Sequence, residues 1–315
     1  MNIDFEKWHG CKNDFIVIWS THNEAKYLVD SLQRQASVLC DRKGEGVGAD
    51  GILVLLSKTR AELLPEQVKI INADGSLASN CGNGLRCAAS SIYKKNLQVG
   101  HLTELPQFVE LVVEDRPFIC HFLEGKTKQQ FPYISIEMGK IILNEKNSWH
   151  KEVVSTVTTF CKESEILIAN DQISSAQIGN KHIVLFTDTL SRKEFEQIAN
   201  SLQSANNFEG INVHLAIESE LSTTAKNQAY QIVGESIEDS FQMTPWERGC
   251  GFTEACGSGA CAVGALALDT GFLSSSSWVA VQMPGGNVFV RHQDSDLGVQ
   301  LAGAAHFVFQ GTLSF

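Results

Sequence analysis

Short apolar runs recur along the chain and predict β-strands. Each run is rich in β-branched or aromatic residues and is bounded by Gly, Asp, Asn or Pro, which is the pattern of half-buried strands. The predicted strands lie at residues 15–19, 52–56, 109–113, 133–137, 183–186, 287–290 and 306–309. Stretches with a helical period are fewer, and they predict helices at residues 24–40, 81–96, 192–204 and 256–268. This mixture predicts an α+β fold in which mostly antiparallel sheets or barrels wrap around central helices.

Two of the predicted helices begin with nearly the same four residues. Residues 81–84 are Cys-Gly-Asn-Gly and residues 256–259 are Cys-Gly-Ser-Gly, and each block opens a helix of small apolar residues. Repetition on this scale predicts two similar, pseudo-symmetric domains. We place the first at residues 1–128 with 303–315 and the second at residues 129–302. The polar segment 114–130 would connect them, with an active site in the cleft between them.

Composition and charge exclude several classes of function. Of the 315 residues, 43% are hydrophobic and 19% are charged, as in ordinary folded proteins. The formal net charge of -11 argues against a nucleic-acid partner, because binding to phosphates needs clustered Lys and Arg. No apolar run reaches the ~18 residues of a membrane helix, and the charged N-terminus lacks an apolar signal segment. We therefore expect a cytoplasmic protein that acts on a small molecule, without a membrane partner.

The nine cysteines lack the paired Cys-x-x-Cys spacing of zinc sites. The sequence therefore predicts neither a disulfide scaffold nor a bound metal. Most free cysteines are small buried hydrophobes, and Cys87 and Cys261, inside their helices among alanines, fit that role. Cys81 and Cys256 differ because each stands at the start of a helix.

A cysteine at a helix N-terminus lies beside unpaired backbone N–H groups and the positive end of the helix dipole. This setting stabilises a thiolate and lowers the pKa of the thiol. The adjacent glycines let the same N–H groups approach a carboxylate. Two such sulfurs on opposite sides of a carbon, one ionised and one not, can remove a proton from one face and return one to the other. Cys81 and Cys256 are therefore predicted to be the catalytic pair that inverts a stereocentre.

Two other interpretations use the same stretches of sequence. A non-enzymatic thiol redox or binding protein would join Cys81 and Cys256 in a reversible disulfide, but this leaves the pair Glu247-Arg248 unexplained. Residues 46–51 match the G-x-G-x-x-G pattern of dinucleotide sites. That pattern should follow a strand and open a helix, whereas here a strand is predicted directly after it, so we do not expect a nucleotide.

A series of short blocks resembles the diaminopimelate epimerase family along most of the chain. The blocks lie at residues 9–10, 13–15, 46–51, 72–76, 81–87, 179–182, 209–212, 247–249 and 256–259. The resemblance implies conversion of LL-2,6-diaminopimelate to its meso form, in lysine and peptidoglycan precursor synthesis, without pyridoxal phosphate, metal or any other cofactor. In this family Cys81 and Cys256 would alternate as acid and base. The other implied site residues are Asn13, Asn72, Gly82, Asn83, Asn180, Asn212, Glu247, Arg248, Gly257 and Ser258 for substrate binding, and His182 and Glu247 for tuning the thiols.

Three residues depart from the family pattern beside the presumed substrate clamp. Lys12 stands where the family has glycine, Lys181 where it has proline, and Gly51 where some members have glutamine. A racemase of another amino acid, such as histidine, is therefore an alternative with the same mechanism. The resemblance also implies a homodimer, although Phe309 stands where some members have an interface tyrosine.

Overall fold

A computed structural model of the chain describes residues 2–101, 105–123, 131–204, 210–273, 278–292 and 298–314. The chain forms two compact units, one made of Met1–Glu137 with Ala302–Phe315 and the other of Met138–Leu301. The domain boundary expected between residues 128 and 129 lies in segment 124–130, outside the described residues, so it stays a prediction. Among the helices that are described, none is long and apolar enough to cross a membrane.

The described residues form six α-helices and eighteen β-strands. The helices are α1 His22–Leu39, α2 Gly82–Gln98, α3 His150–Glu163, α4 Arg192–Ser204, α5 Thr223–Val233 and α6 Gly257–Asp269. The first nine strands are β1 Asn2–Gly10, β2 Asn13–Thr21, β3 Gly51–Ser57, β4 Gln67–Asn72, β5 Leu77–Ala78, β6 Phe108–Val113, β7 Arg116–Leu123, β8 Tyr133–Gly139 and β9 Ile142–Leu143. The others are β10 Ile173–Ile178, β11 Asn180–Phe186, β12 Ile211–Glu218, β13 Ser240–Glu247, β14 Gly251–Phe252, β15 Val279–Met283, β16 Gly286–His292, β17 Val299–Gly303 and β18 His306–Ser314.

The strands of the first unit pair in a fixed order. β1 and β2 form a hairpin, β3 runs parallel to β2, and β4 and then β5 add antiparallel strands. After α2, β6 runs parallel to β4, and β7 adds an antiparallel strand. The last strand of the chain, β18, returns to this unit and pairs with β1, as the sequence predicted.

The second unit repeats this order of strand pairing, although α5 between β12 and β13 has no counterpart among the described residues between β3 and β4. β10 and β11 form the hairpin, β12 runs parallel to β11, and β13 and then β14 add antiparallel strands. After α6, β15 runs parallel to β13, and β16 adds an antiparallel strand. The internal repeat expected from the two cysteine blocks is therefore present in the strand pairing. The prediction of an α+β protein with two similar halves is confirmed.

α2 and α6 are the central helices of their units. Both are rich in Gly, Ala and Ser or Cys, and small side chains let strands approach a helix from several sides. α2 contacts β1, β2, β3 and β7, whereas α6 contacts β9 to β13, β15 and β16. As a result, both helices are buried on most of their faces. The side chains of Cys87 and Cys261 are fully buried, as predicted.

The other helices cover their sheets with one apolar face. In α1, Leu28, Leu32 and Ala36 recur every four residues and pack in a core cluster with β1 to β4. In α3, Val153 and Val157 follow the same spacing and pack with α4 and β10 to β12. These packed layers hold the strands from which the site residues project.

Candidate active site

Cys81 is the N-cap residue of α2 in the first unit. Its backbone is extended, with φ -157° and ψ 95°, and its Sγ atom accepts a hydrogen bond from the N–H of Gly84 at 3.3 Å. A Cβ atom at position 84 would lie 3.2 Å from this sulfur and 3.2 Å from Leu53 Cδ2. Glycine therefore lets the first turn of the helix close around the half-buried thiol. The predicted helix start at Cys81 is confirmed.

Cys256 is the N-cap residue of α6 in the second unit, and it is more deeply buried. Its side chain is only 4% exposed, and its Sγ lies 3.7 Å from Ser258 Oγ. Its backbone N–H donates to Met283 Sδ at 3.3 Å. A Cβ atom at Gly259 would lie 2.5 Å from His214 Nε2, a separation that real Cβ atoms do not reach. Only glycine fits between the thiol and this imidazole.

The expectation of a lowered thiol pKa is wrong for Cys256. Burial raises the pKa of this thiol well above its usual 9.0, and the negative charge of Glu247 and its hydrogen bond with the thiol raise it further. The N–H of Gly259 and the hydroxyl of Ser258 lower it, as a helix N-terminus should, but they are the smaller influences. Cys256 is therefore a thiol, not a thiolate, at neutral pH in this structure.

A chain of hydrogen bonds in the first unit begins two residues after Cys81. Asn83 donates from Nδ2 to Asn13 Oδ1 at 3.1 Å, and Asn13 donates from its own Nδ2 to Asp50 Oδ2 at 2.8 Å. The fully buried Arg86 donates to Asn83 Oδ1 at 2.8 Å. Because the amide of Asn83 is engaged by these protein partners, its backbone N–H and that of Gly82 are the groups that suit a substrate.

Three of the predicted substrate-binding residues meet at the end of β13 in the second unit. Asn212 Oδ1 accepts a hydrogen bond from the backbone N–H of Arg248 at 3.1 Å. Glu247 accepts one from Thr253 Oγ1 at 2.7 Å. The guanidinium of Arg248 is exposed and passes close to Gly210, where a Cβ atom would lie 3.1 Å from Nη1. An exposed guanidinium with a fixed backbone suits an anionic ligand group.

The remaining two asparagines of the predicted clamp stand at strand ends. Asn72 ends β4, is exposed, and donates from Nδ2 to Ser76 Oγ at 2.9 Å. Asn180 begins β11 and is also exposed. The side-chain amide of Asn72 therefore stabilises the turn that follows β4 in this structure.

A buried histidine pair lies beside Cys256, and the sequence revealed only one of its members. His182 Nδ1 lies 2.9 Å from His214 Nε2, and neither side chain is exposed. Burial lowers the pKa of His182 to about 3, and burial together with the repulsion that two protonated rings would experience lowers the pKa of His214 well below 6.5. Both imidazoles are therefore neutral. The available signal for His214 was a polar residue between the apolar residues Val213 and Leu215 of β12, a strand whose buried stretch also contains Asn212.

The sequence model of one family, the diaminopimelate epimerases, matches residues 5–130 and 174–308 of this chain. The chain belongs to that family. It is therefore a member of a family of isomerases, and the resemblance drawn from the cysteine and asparagine blocks is confirmed.

Curated relatives match over nearly the whole chain. The diaminopimelate epimerase of Desulfitobacterium hafniense is 29% identical, with 99% of this chain and 98% of that protein covered. The diaminopimelate epimerase of Thermosynechococcus vestitus is 28% identical, with 99% and 100% covered. That of Bacillus licheniformis is 25% identical, with 98% and 96% covered.

Solved structures with the same fold are more distant in sequence. A phenazine biosynthesis protein of the PhzF family from Bacillus anthracis has a TM-score of 0.65 and 12% identity, with 100% of both chains covered. A hydroxyproline epimerase from Agrobacterium vitis has a TM-score of 0.61 and 10% identity, with 99% of this chain and 92% of that chain covered. At this identity the likeness establishes the fold alone.

Proposed function

We propose that the protein interconverts LL- and meso-2,6-diaminopimelate by moving a proton on and off one α-carbon with Cys81 and Cys256. The observation that supports this most is the duplicated construction of the two units. Each unit has one cysteine at the N-cap of its central helix, with a glycine three positions later. In the proposed complex the two sulfurs act on opposite faces of the same carbon.

The proposed reaction balances without an oxidant or reductant. The thiolate of Cys81 takes the α-proton, so the C–H bond breaks, an S–H bond forms, and the electron pair moves toward the substrate carboxylate. The thiol of Cys256 then gives its proton to the opposite face of the carbon and becomes a thiolate. The raised pKa of Cys256 supports its assignment as the acid in this direction. In the reverse direction the two sulfurs exchange roles.

The reacting carboxylate would be held by backbone N–H groups at the two helix N-termini. Such groups point toward a ligand and favour negative charge, which grows on the carboxylate as the proton leaves. We assign these contacts to Gly82, Asn83, Gly257 and Ser258. The distal part of the substrate would be held by Asn13, Asn72, Asn180, Asn212, Glu247 and Arg248, with the Arg248 fork suited to the distal carboxylate.

Solvent deuterium exchange tests the reaction directly. We expect the protein to incorporate deuterium at the α-carbon of diaminopimelate, and we expect Cys81→Ala and Cys256→Ala each to abolish inversion. Cys250→Ala is the matched control, because Cys250 is exposed and lies outside both cysteine blocks. Exchange that survives both active-site changes would refute the assignment.

A parallel screen separates the other interpretations. Racemisation of histidine but not of diaminopimelate would keep the two-thiol mechanism and replace the substrate. A reversible Cys81–Cys256 disulfide, detected by mass spectrometry without exchange in any amino acid, would favour a redox protein. The screen should therefore include about twenty amino acids together with diaminopimelate.

We also propose that the protein is a homodimer through the surface that includes β18. Val308 and Phe309 on this strand are 51% and 43% exposed, which is unusual for neighbouring large apolar side chains. Light scattering after gel filtration should give twice the chain mass, and Val308→Lys with Phe309→Lys should shift it toward one chain mass. A monomer in the unchanged protein would contradict this proposal.

A further inference from the structure

Three buried side chains of the second unit form a cluster that the proposed reaction uses only in part. They are His182 on β11, His214 on β12 and Cys256 before α6. One nitrogen from each imidazole and the Sγ atom all lie within 4.8 Å of one another. We propose that this cluster binds a thiophilic divalent metal ion of the zinc class, and that the bound ion takes the sulfur of Cys256 out of catalysis.

The geometry is close to that of a tetrahedral metal site. With Zn–N bonds of ~2.0–2.1 Å and a Zn–S bond of ~2.3 Å, ligand atoms in such a site stand about 3.3–3.6 Å apart. The longest separation in the cluster, at most 4.8 Å, therefore has to shorten by about 1 Å, and the 2.9 Å contact between His182 Nδ1 and His214 Nε2 has to lengthen slightly for these nitrogens to bind the ion. Two imidazoles and a thiolate leave the fourth position of the ion open.

The histidine pair has unused bonding capacity. His182 Nε2 and His214 Nδ1 are buried, and neither has a hydrogen-bond partner among the described residues. Each neutral imidazole has one nitrogen with a lone pair, and a change of tautomer places that lone pair on the nitrogen that faces Cys256. At His214 that nitrogen is Nε2, so a bound ion would replace the 2.9 Å contact between the two rings.

The chemistry of the three ligands selects the class of ion. Imidazole and thiolate suit zinc, copper and cobalt, whereas magnesium and calcium prefer oxygen ligands. Binding displaces the thiol proton of Cys256, because only the thiolate is a strong ligand.

The internal repeat supplies a comparison inside the same chain. In the second unit a Cβ atom at Gly259 would meet His214, whereas in the first unit a Cβ atom at Gly84 would meet Leu53. Leu53 thus takes the place beside Cys81 that His214 takes beside Cys256. The first unit has the cysteine without this imidazole, so the proposed site belongs to the second unit alone.

The effect on activity rests on the proposed function. A metal-bound thiolate is a much weaker base than a free thiolate and has no proton to donate, so an occupied site stops proton transfer at Cys256. Zinc would then act as a reversible inhibitor that a chelator removes. The binding itself does not depend on what the enzyme acts on.

Metal binding is tested first without any activity measurement. Chelator-treated protein is titrated with Co²⁺, and we expect one equivalent per chain with thiolate-to-cobalt charge-transfer absorption, displaced by Zn²⁺. His214→Leu, which copies the first unit, and Cys256→Ser should each weaken binding at least about tenfold. Circular dichroism and the Tm of each variant establish whether it is folded. If a variant does not fold, His214→Gln is measured in its place.

Two matched variants distinguish this site from other metal-binding groups. Cys81→Ser should bind Co²⁺ as the unchanged protein does, and so should His306→Gln, which breaks up the ring pair of half-buried His9 and exposed His306. No charge-transfer absorption in the unchanged protein would overturn the proposal. Unaltered binding in folded His214→Leu, or its loss in Cys81→Ser, would also overturn it.

Inhibition is measured second, as the dependence of α-deuterium exchange on Zn²⁺ concentration. We expect inhibition that EDTA reverses. If the protein has no exchange activity, the proposed function fails while the Co²⁺ result still decides the metal site. If exchange is present and Co²⁺ binds but Zn²⁺ does not inhibit, the regulatory part of the proposal is wrong.

Discussion

The imidazoles of His182 and His214 lie stacked in the interior of the second unit, with Nδ1 of the first 2.9 Å from Nε2 of the second. They come from β11 and β12, which run parallel, and neither ring reaches solvent. A buried pair of this kind has to remain neutral, because a charge there would lose its hydration without gaining a counterion. That requirement makes the pair sensitive to acid.

We predict that stability falls as the pH drops from 6.5 toward 3. Burial lowers the pKa of His182 to about 3 and that of His214 well below 6.5. As the pH falls, these histidines are therefore protonated in the unfolded chain before they are protonated in the folded chain. The contribution of the neutral pair to stability is fully present above the pKa of histidine in the unfolded chain, and His182 should cost about 2 kcal/mol at pH 5 relative to pH 7.5, with a further loss from His214. Urea unfolding at several pH values, with chelator present, measures the loss.

The control for this experiment is the exposed His22. His22→Gln should keep the pH dependence of the unchanged protein, whereas His214→Leu should reduce it. Equal dependence in His214→Leu and the unchanged protein would show that the buried pair is not its source.

We predict that Gly259→Ala is more damaging than Gly84→Ala, although the two glycines are equivalent in the repeat. The new methyl would lie 2.5 Å from the ring of His214 in one case, and 3.2 Å from a movable Leu53 methyl and from Cys81 Sγ in the other. Overpacking of this kind costs about 1–3 kcal/mol. Thermal unfolding of both variants measures the difference.

A double-mutant cycle identifies the cause. His214→Ala removes the ring that the new methyl strikes, so Gly259→Ala should cost less in that background than alone. Equal Tm values for the two single glycine variants, or no rescue by His214→Ala, would contradict the steric explanation.

Local signals in the sequence were sufficient for much of the fold. The helices at Cys81 and Cys256 were predictable because a turn precedes each and small apolar residues follow. α4 was predicted at its observed bounds, Arg192–Ser204, because its apolar residues follow the helical period. The buried strand β3 was visible as an uninterrupted apolar run.

Other features depend on contacts that no local pattern contains. α3 was not predicted because it is rich in Val and Thr, which favour strands, and the packing of Val153 and Val157 overrides that preference. The cluster of His182, His214 and Cys256 joins three elements far apart in sequence. The spacing of cysteines, from which no metal site was expected, carries no information about such a cluster.

We predict that Lys12→Gly stabilises the protein by about 1 kcal/mol, because a left-handed backbone costs a side-chain-bearing residue about 1–2 kcal/mol. Cys11 and Lys12 form the turn between β1 and β2 with φ of 53° and 61°. Lys26→Gly, at an exposed position within α1, is the control and should destabilise by about 1 kcal/mol. Urea unfolding measures whether the free energy of unfolding rises or falls in each variant. A decrease in Lys12→Gly would contradict the prediction.

We predict that Glu247→Gln makes Cys256 more reactive toward a neutral alkylating reagent. Burial is the largest cause of the raised pKa of this thiol, and it remains in the variant, but the negative charge of Glu247 is removed. A decrease of one pKa unit gives about tenfold more thiolate below the pKa. Iodoacetamide labelling at several pH values, followed by mass spectrometry at Cys256, measures the change. Glu254→Gln, an exposed neighbour, should label as the unchanged protein does. If the two variants label at the same rate, Glu247 does not control the protonation of Cys256, and its assigned role in holding the acid form is wrong.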